Sequence, residues 1–225
     1  HGHAAVPTHP HQEKKMTTIR TIKIIATETV RNLFAKRGTY YIADSAQWII
    51  TEIGNNLQHA TKNRVQMKKT PWGLPPSILH FGSIEVYLRY RNTMKKKHQH
   101  IVVTWFHIID GDVNNKLIQT IDKEIDQWHT ASTTTAKKLI SHGASEEKIS
   151  IIPLGIDLKE CSIMTRKQAR KQLGIAEGAY VLGSFQKDGE GWGEGERPKL
   201  IKGPDILCDV VENIGEQKDS TVLLT

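Results

Sequence analysis

Residues 148–157, KISIIPLGID, decide the fold. Ile149–Ile152 is a short, mostly β-branched run, and Pro153 removes the next backbone donor, so the stretch predicts a buried strand stopped at a Pro-Leu-Gly turn. A second stretch, GSFQKDGEGWGEGERPKLIKGPDIL over 183–207, reads as the end of another strand, a glycine-rich loop and a helix opening on Lys202-Gly203. Together they predict two α/β domains hinged between residues 158 and 178, with a phosphate-handling loop facing the cleft.

Working outward, short apolar runs alternate with helical patterns, the signature of a parallel sheet covered by helices. Thr39–Ala43, Ile78–Phe81 and Ile101–His107 read as strands, with Arg64–Met67 and Gln127–Ala131 as weaker ones. Ile101–His107 (IVVTWFH) is the strongest, rich in β-branched and aromatic residues as in a strand buried on both faces. Helices are expected after Asp44 and Ser45, with Trp48, Ile49, Ile53 and Leu57 at helical spacing, and over Ile84–Arg91 and Thr134–His142. Ser132 is an N-cap for the last of these and Gly143 its left-handed end. Thr18–Ala26 and Thr29–Lys36 suggest a further strand and helix.

Beyond Pro153 the order repeats: helix Arg166–Leu173 ending at Gly174, strand Tyr180–Phe185, helix Pro204–Ile214, strand Thr221–Leu224. Residues 1–16 are expected to be a disordered tail, 17–157 a first Rossmann-like domain, 158–178 a linker and helix, and 179–225 the start of a second domain. Two strands and one or two helices bury too little surface to offset chain entropy, so that second domain is expected to be truncated.

The bulk numbers exclude several classes. With 225 residues, 38% hydrophobic and 24% charged, the composition is that of a globular protein with a sizeable core. No apolar run approaches the ~20 residues that cross a bilayer. The beginning of the sequence lacks the apolar stretch of a secretory signal, and its His1, His3, His9 and His11 have no scaffold around them to hold a metal. Cys161 and Cys208 form neither a disulfide framework nor a zinc pattern, which fits reduced thiols and a cytoplasmic setting. The net charge of +7 favours anionic partners. It is compatible with peripheral contact with an acidic membrane surface at the inner face. No basic block is interleaved with aromatics, so nucleic acid is not expected.

The order and spacing of YYIADSAQWII, SILHFGS, IVVTWFH, TASTTTAKKLISHGASEEKISIIPLGID and GSFQK…IKGPDIL resemble the two-Rossmann-domain (GT-B) glycosyltransferases, specifically the retaining family 4 type. The resemblance covers roughly Thr39 to Thr225. It implies transfer of a glycosyl group from a nucleoside-diphosphate sugar to a hydroxyl of a glycan or lipid-linked acceptor, as in polysaccharide biosynthesis, with no metal or other cofactor required. His107 matches the histidine that contacts the donor sugar near the reacting carbon. Lys202 and Gly203 match the Lys-Gly that stabilises the departing diphosphate. Where the family usually has Gly-Arg this chain has Gly183-Ser184, so Gln186 or Lys187 takes the arginine's place. Asp44, Ser45 and Trp48 fall on the acceptor side. The family's glutamate pair would follow Thr225, which implies weak or no transferase activity for this chain alone. The alternative is a non-catalytic binding module derived from such a domain.

Physical chemistry supports part of this assignment independently. A histidine at the carboxyl edge of a parallel sheet stands where such sheets bind ligands. Lys202 offers a cation, Gly203 lets backbone approach, and the helix start at Pro204 presents free N–H groups to an anion. The intervening loop argues otherwise, because Asp188, Glu190, Glu194 and Glu196 repel phosphate and its glycines match no dinucleotide fingerprint. Asp110 and Asp112 flank Gly111 as in an ordinary surface turn. Ser132 lacks the Gly-x-Ser-x-Gly setting of a nucleophile.

Overall fold

The computed structural model describes residues 23–43, 49–94, 99–108, 115–155, 163–185, 200–217 and 221–224. The histidine-rich beginning, Asp44, Ser45, Trp48, Asp110, Asp112, Cys161, Gln186, Lys187 and the acidic 188–196 loop lie outside them. The chain divides into two units, the first ending at Gly155 and the second beginning at Ile156.

The first unit is built on a parallel sheet of six strands. In chain order these are β1 (Thr39–Ile42), β2 (Val65–Lys68), β3 (Ile78–Phe81), β4 (His100–Thr104), β5 (Gln127–Thr130) and β6 (Ile149–Ile151). They lie in the order β2-β1-β3-β4-β5-β6, each parallel to its neighbours. Parallel neighbours require crossovers. Helices α2 (Ile49–Ala60), α3 (Ile84–Tyr90), α4 (Asn115–Asp122) and α5 (Thr133–Ser141) supply four of the five. Both the α/β class and the helix-flanked parallel sheet agree with the expectation from sequence.

The fifth crossover, from β2 past β1 to β3, is loop 69–77, and helix α1 (residues 23–32) braces it. The fully buried Asn32 donates from Nδ2 to the carbonyls of Thr70 and Trp72, each at 3.0 Å. Tyr90 reaches the same loop, its hydroxyl donating to the Lys69 carbonyl at 3.0 Å. The β-branched run near Ile24 suggests a strand, yet residues 23–26 are helical. The anchor explains the reversal: Ile25, Thr29 and Asn32 fall on one helical face, and Thr29 Oγ1 satisfies the Ile25 carbonyl at 2.8 Å. Tertiary anchoring outweighs a weak β preference.

Each face of the sheet has its own core. On one, Tyr40, Ile42, Leu79, Phe81, Ile101, Val103 and Trp128 pack with Tyr87, Ile118, Ile121 and Leu139 from α3, α4 and α5. On the other, Tyr41 and Ala43 meet Ile50 of α2, with Ile53, Leu57 and Met67 around them. Ile53 and Leu57 face inward as expected, but Ile49 is exposed and Ile50 is buried in its place. The fourth inward position is Gly54, where an added Cβ would lie 2.7 Å from the Tyr41 ring and 2.8 Å from Met67 Sδ. Alanine gains about 0.8–1.0 kcal/mol of helix propensity there but forces overpacking of about 1–3 kcal/mol. Gly54→Ala is therefore expected to destabilise the first unit by about 1 kcal/mol, read as a lowered denaturation midpoint; an unchanged or raised midpoint contradicts this packing.

The far side of the sheet is closed by a buried carboxylate. Asp122, at the end of α4, accepts from Trp128 Nε1 at 2.8 Å, Ser145 N at 3.1 Å and Ser145 Oγ at 2.7 Å. Lys148 Nζ lies 3.8 Å from Asp122 Oδ2 and donates to the Asp122 and Ile125 carbonyls. Burial raises the Asp122 pKa, but the hydrogen bonds from Ser145 and Trp128, with Lys148, outweigh it and leave the carboxyl below its ordinary value. Nearby, Arg91 grips Glu124 through Nη2 at 2.6 Å and Nε at 3.1 Å. Helix α4 was not expected from the sequence, although its buried Ile118 and Ile121 stand at helical spacing.

In the second unit, α6 (Arg166–Leu173) begins with a capping box between Thr165 and Gln168 and ends at Gly174, whose φ is +68°. Its Arg170 is not part of a solvated basic face. It is buried, and its guanidinium donates to the carbonyls of Ala176 at 2.5 Å and Ala179 at 2.8 Å. Strands β7 (Tyr180–Gly183) and β8 (Thr221–Leu224) pair in parallel and are linked through α7 (Pro204–Gln217).

Candidate functional site

The strand order fixes where a ligand site belongs in the first unit. The chain leaves β1 toward β2 on one side and returns to β3 on the other, so the connections diverge between β1 and β3. Open α/β sheets bind ligands in the crevice this creates at their carboxyl edge. Described residues at that edge are Ala43 after β1, Gly82 and Ser83 after β3, Trp105–Ile108 after β4, and Ala131 and Ser132 after β5. Asp44, Ser45 and Trp48 follow β1 in sequence but fall outside the described residues.

The turn after β3 is closely packed. A Cβ on Gly82 would lie 2.5 Å from the Tyr41 hydroxyl and 2.6 Å from Ile50, so only glycine fits without displacement. Ser83 then caps α3, its side chain accepting from Val86 N at 3.3 Å.

The predicted strand Ile101–His107 is shorter than its composition suggests. β4 ends at Thr104, and His107 stands three residues beyond, in the following loop rather than on the strand. The loop is nonetheless fixed. Trp105 N donates to the His129 carbonyl at 2.9 Å. Thr135 Oγ1 of α5 donates to the Phe106 carbonyl at 2.9 Å, and Lys138 Nζ to the Ile108 carbonyl at 3.0 Å. The backbone on both sides of His107 is thus tied to one helix, while the imidazole itself is exposed. Ser132 is an N-cap, accepting from Thr135 N at 3.2 Å, and is engaged as a structural group.

Beneath this edge runs a polar chain that sequence reading missed. His80 of β3, Thr104 of β4 and His129 of β5 lie on one face. His80 Nε2 is 2.7 Å from Thr104 Oγ1, and Thr104 Oγ1 is 2.9 Å from His129 Nδ1. His129 Nε2 is 3.0 Å from the Ile152 carbonyl oxygen. That carbonyl can only accept, which orders the chain: His129 carries its hydrogen on Nε2, Nδ1 accepts from the Thr104 hydroxyl, and Thr104 accepts from His80 Nε2–H. Burial, and secondarily His129, pushes the His80 pKa down to about 4, so the ring is neutral at neutral pH. The chain links three strands to the carbonyl just before Pro153. The available signal was a histidine inside each strand, beside Phe81 in ILHF and beside Trp128 in QWHT.

In the second unit, Lys202 and Gly203 sit where β7 has ended and α7 begins. Lys202 closes a single 3-10 turn (Leu200–Lys202) and is exposed. Gly203 has φ +69°, a left-handed conformation that a side chain would strain, and its carbonyl accepts from Leu207 N at 3.0 Å as the first turn of α7. Pro204 at the first helical position lacks an N–H, leaving the amides of Asp205 and Ile206 as early donors. Asp205 also places a carboxylate in that turn. Gln186 and Lys187 lie outside the described residues.

Among the described residues no group of three or more His, Cys, Asp or Glu is placed to hold a metal ion. No described helix is long and apolar enough to cross a membrane. No protein-family model matches this sequence, and no curated protein matches it at the significance applied.

Proposed function

We propose that this chain handles a nucleoside-diphosphate sugar and belongs to a retaining glycosyl transfer system of the GT-B type. The observation that carries the reading is the start of α7: an exposed lysine, a left-handed glycine and a proline-opened helix of 14 residues, set between two parallel strands. A helix start of this kind favours a diphosphate, because free amides and the helix dipole act on the anion together with the Lys202 ammonium. In the transfer reaction the glycosyl–oxygen bond to the diphosphate breaks, negative charge develops on the leaving phosphate, and Lys202 stabilises it there. His107, on its pinned loop, would orient a donor sugar hydroxyl. Gln186 or Lys187 would supply the second polar contact to the diphosphate. Asp44, Ser45 and Trp48 would meet a glycan or lipid-linked acceptor hydroxyl.

Calorimetric titration with UDP, GDP and ADP tests the donor side. One of them is expected to bind in the micromolar range, with Lys202→Ala weakening it about tenfold or more, as expected for loss of one charged hydrogen bond. No binding by any of the three would favour the other reading, a binding module without donor chemistry.

A further inference from the structure

At the end of α1 and in the turn that follows it, the chain presents three large apolar side chains to solvent within five residues. Val30 is 58% exposed, Leu33 67% and Phe34 85%. Single exposed apolar residues are ordinary, but a cluster on a fixed turn calls for a partner. This turn is fixed. Asn32 is held by the Thr70 and Trp72 carbonyls, and Ala35 packs against the main core. The Tyr40 hydroxyl donates to the Lys36 carbonyl. Leu33 N, Phe34 N and Ala35 N close successive turns on Val30, Arg31 and Asn32. Leu33 and Phe34 therefore face water because the backbone is anchored with them outward.

The charges around them select the partner. Arg31, Lys36 and Arg37 are exposed beside the apolar tip. Over residues 28–37 the only acid is Glu28, which lies 3.5 Å from Arg31. An apolar tip ringed by cations is the arrangement that seats in the interface of an anionic bilayer, with side chains at acyl depth and cations at the headgroup phosphates. The side chains of Arg and Lys suit this, since their stems lie along apolar surface while the charge stays at the interface.

We infer that the turn at residues 30–37 is a docking point for an anionic lipid surface. It lies at the start of β1, the amino edge of the sheet, away from the carboxyl edge that carries His107. Attachment there leaves the carboxyl edge of the first unit unobstructed. This inference does not rest on the glycosyl reading.

The test is sedimentation of the full chain with vesicles of phosphatidylcholine alone or with a minor fraction of phosphatidylglycerol. Binding is expected on the anionic vesicles, falling with added salt. Replacing Leu33 and Phe34 together by serine should weaken it about tenfold or more. Replacing Arg31, Lys36 and Arg37 by glutamine should weaken it about a hundredfold. The same number of cations removed from another exposed face, through Arg166→Gln, Lys167→Gln and Lys171→Gln, should change it far less. An unchanged denaturation midpoint in the serine variant confirms that it folds. The inference is overturned if anionic vesicles do not bind the chain, or if the serine variant binds as well as the parent. It is also overturned if sedimentation in the absence of lipid shows a dimer that the serine variant abolishes, since a second copy would then cover the patch.

Discussion

Replacing Asp122 by alanine is expected to lower the stability of the first unit by about 3–4 kcal/mol, as for removal of one partner from a buried, hydrogen-bonded ionic group. The change strips the Trp128 indole N–H and both Ser145 donors of their acceptor. It also removes the carboxylate beside Lys148. Trp128 is fully buried, so its N–H has no route to water. Asp122→Asn separates geometry from charge. The amide oxygen can still accept from Trp128 and Ser145 N, and its NH₂ can face the Ser145 hydroxyl, so a smaller loss of about 1–2 kcal/mol is expected. Denaturation followed by tryptophan fluorescence reads both. Equal losses for the two variants would mean that charge, rather than the set of acceptors, dominates. Because the carboxyl is held below its ordinary value, its contribution is complete above the ordinary carboxylate range and is lost as pH falls through the folded-state value.

The second large effect comes from His80 and occupies a different pH window. Its pKa in the folded protein is about 4 against an ordinary 6.5. Between those values the unfolded chain takes up a proton that the folded protein refuses. Stability is therefore full above about pH 6.5, falls as pH drops, and levels once pH passes about 4. The predicted loss across this window is about 3 kcal/mol. His80→Gln retains an amide donor toward Thr104 but cannot titrate. The variant should be less stable than the parent at pH 7.5, and the gap should narrow or reverse by pH 4.5. Parallel pH profiles for the two proteins would show that His80 is not the group held neutral.

How much was legible in advance depended on whether a residue acts locally or across strands. Ser132 and Gly174 announce caps through their own chemistry, and both sit at helix ends as expected. All six strands of the first unit were located, β1, β3, β4 and β6 by β-branched and aromatic runs that a pleated, buried surface selects, β2 and β5 by weaker patterns. Their ends were harder. Trp105 and Phe106 are as strand-like as their neighbours, yet β4 stops at Thr104, where the loop is drawn to α5 by Thr135 and Lys138. No local property of WFH encodes a tie made some thirty residues later. The same holds for residues 23–26, whose isoleucines favour a strand until Asn32 fastens the helix to loop 69–77.

The candidate site was legible where a single tripeptide carries the geometry. Lys202-Gly203-Pro204 states a cation, a left-handed turn and a helix start in three residues, and the backbone adopts the last two. Asp205 adds a negative charge to the same turn, which Lys202-Gly203 by itself does not announce. The His80–Thr104–His129 chain was illegible for a different reason. Its members are 24 and 25 residues apart, and only the parallel register of β3, β4 and β5 brings them together.

The central claim is that the start of α7 receives a diphosphate, and backbone hydrogen exchange with and without a saturating nucleoside diphosphate tests it most directly. The account predicts slowed exchange at the amides of Asp205 and Ile206, abolished in Lys202→Ala, with α3 and α4 unchanged. Exchange at those amides that is indifferent to every nucleoside diphosphate, or protection confined to the first unit, would contradict it.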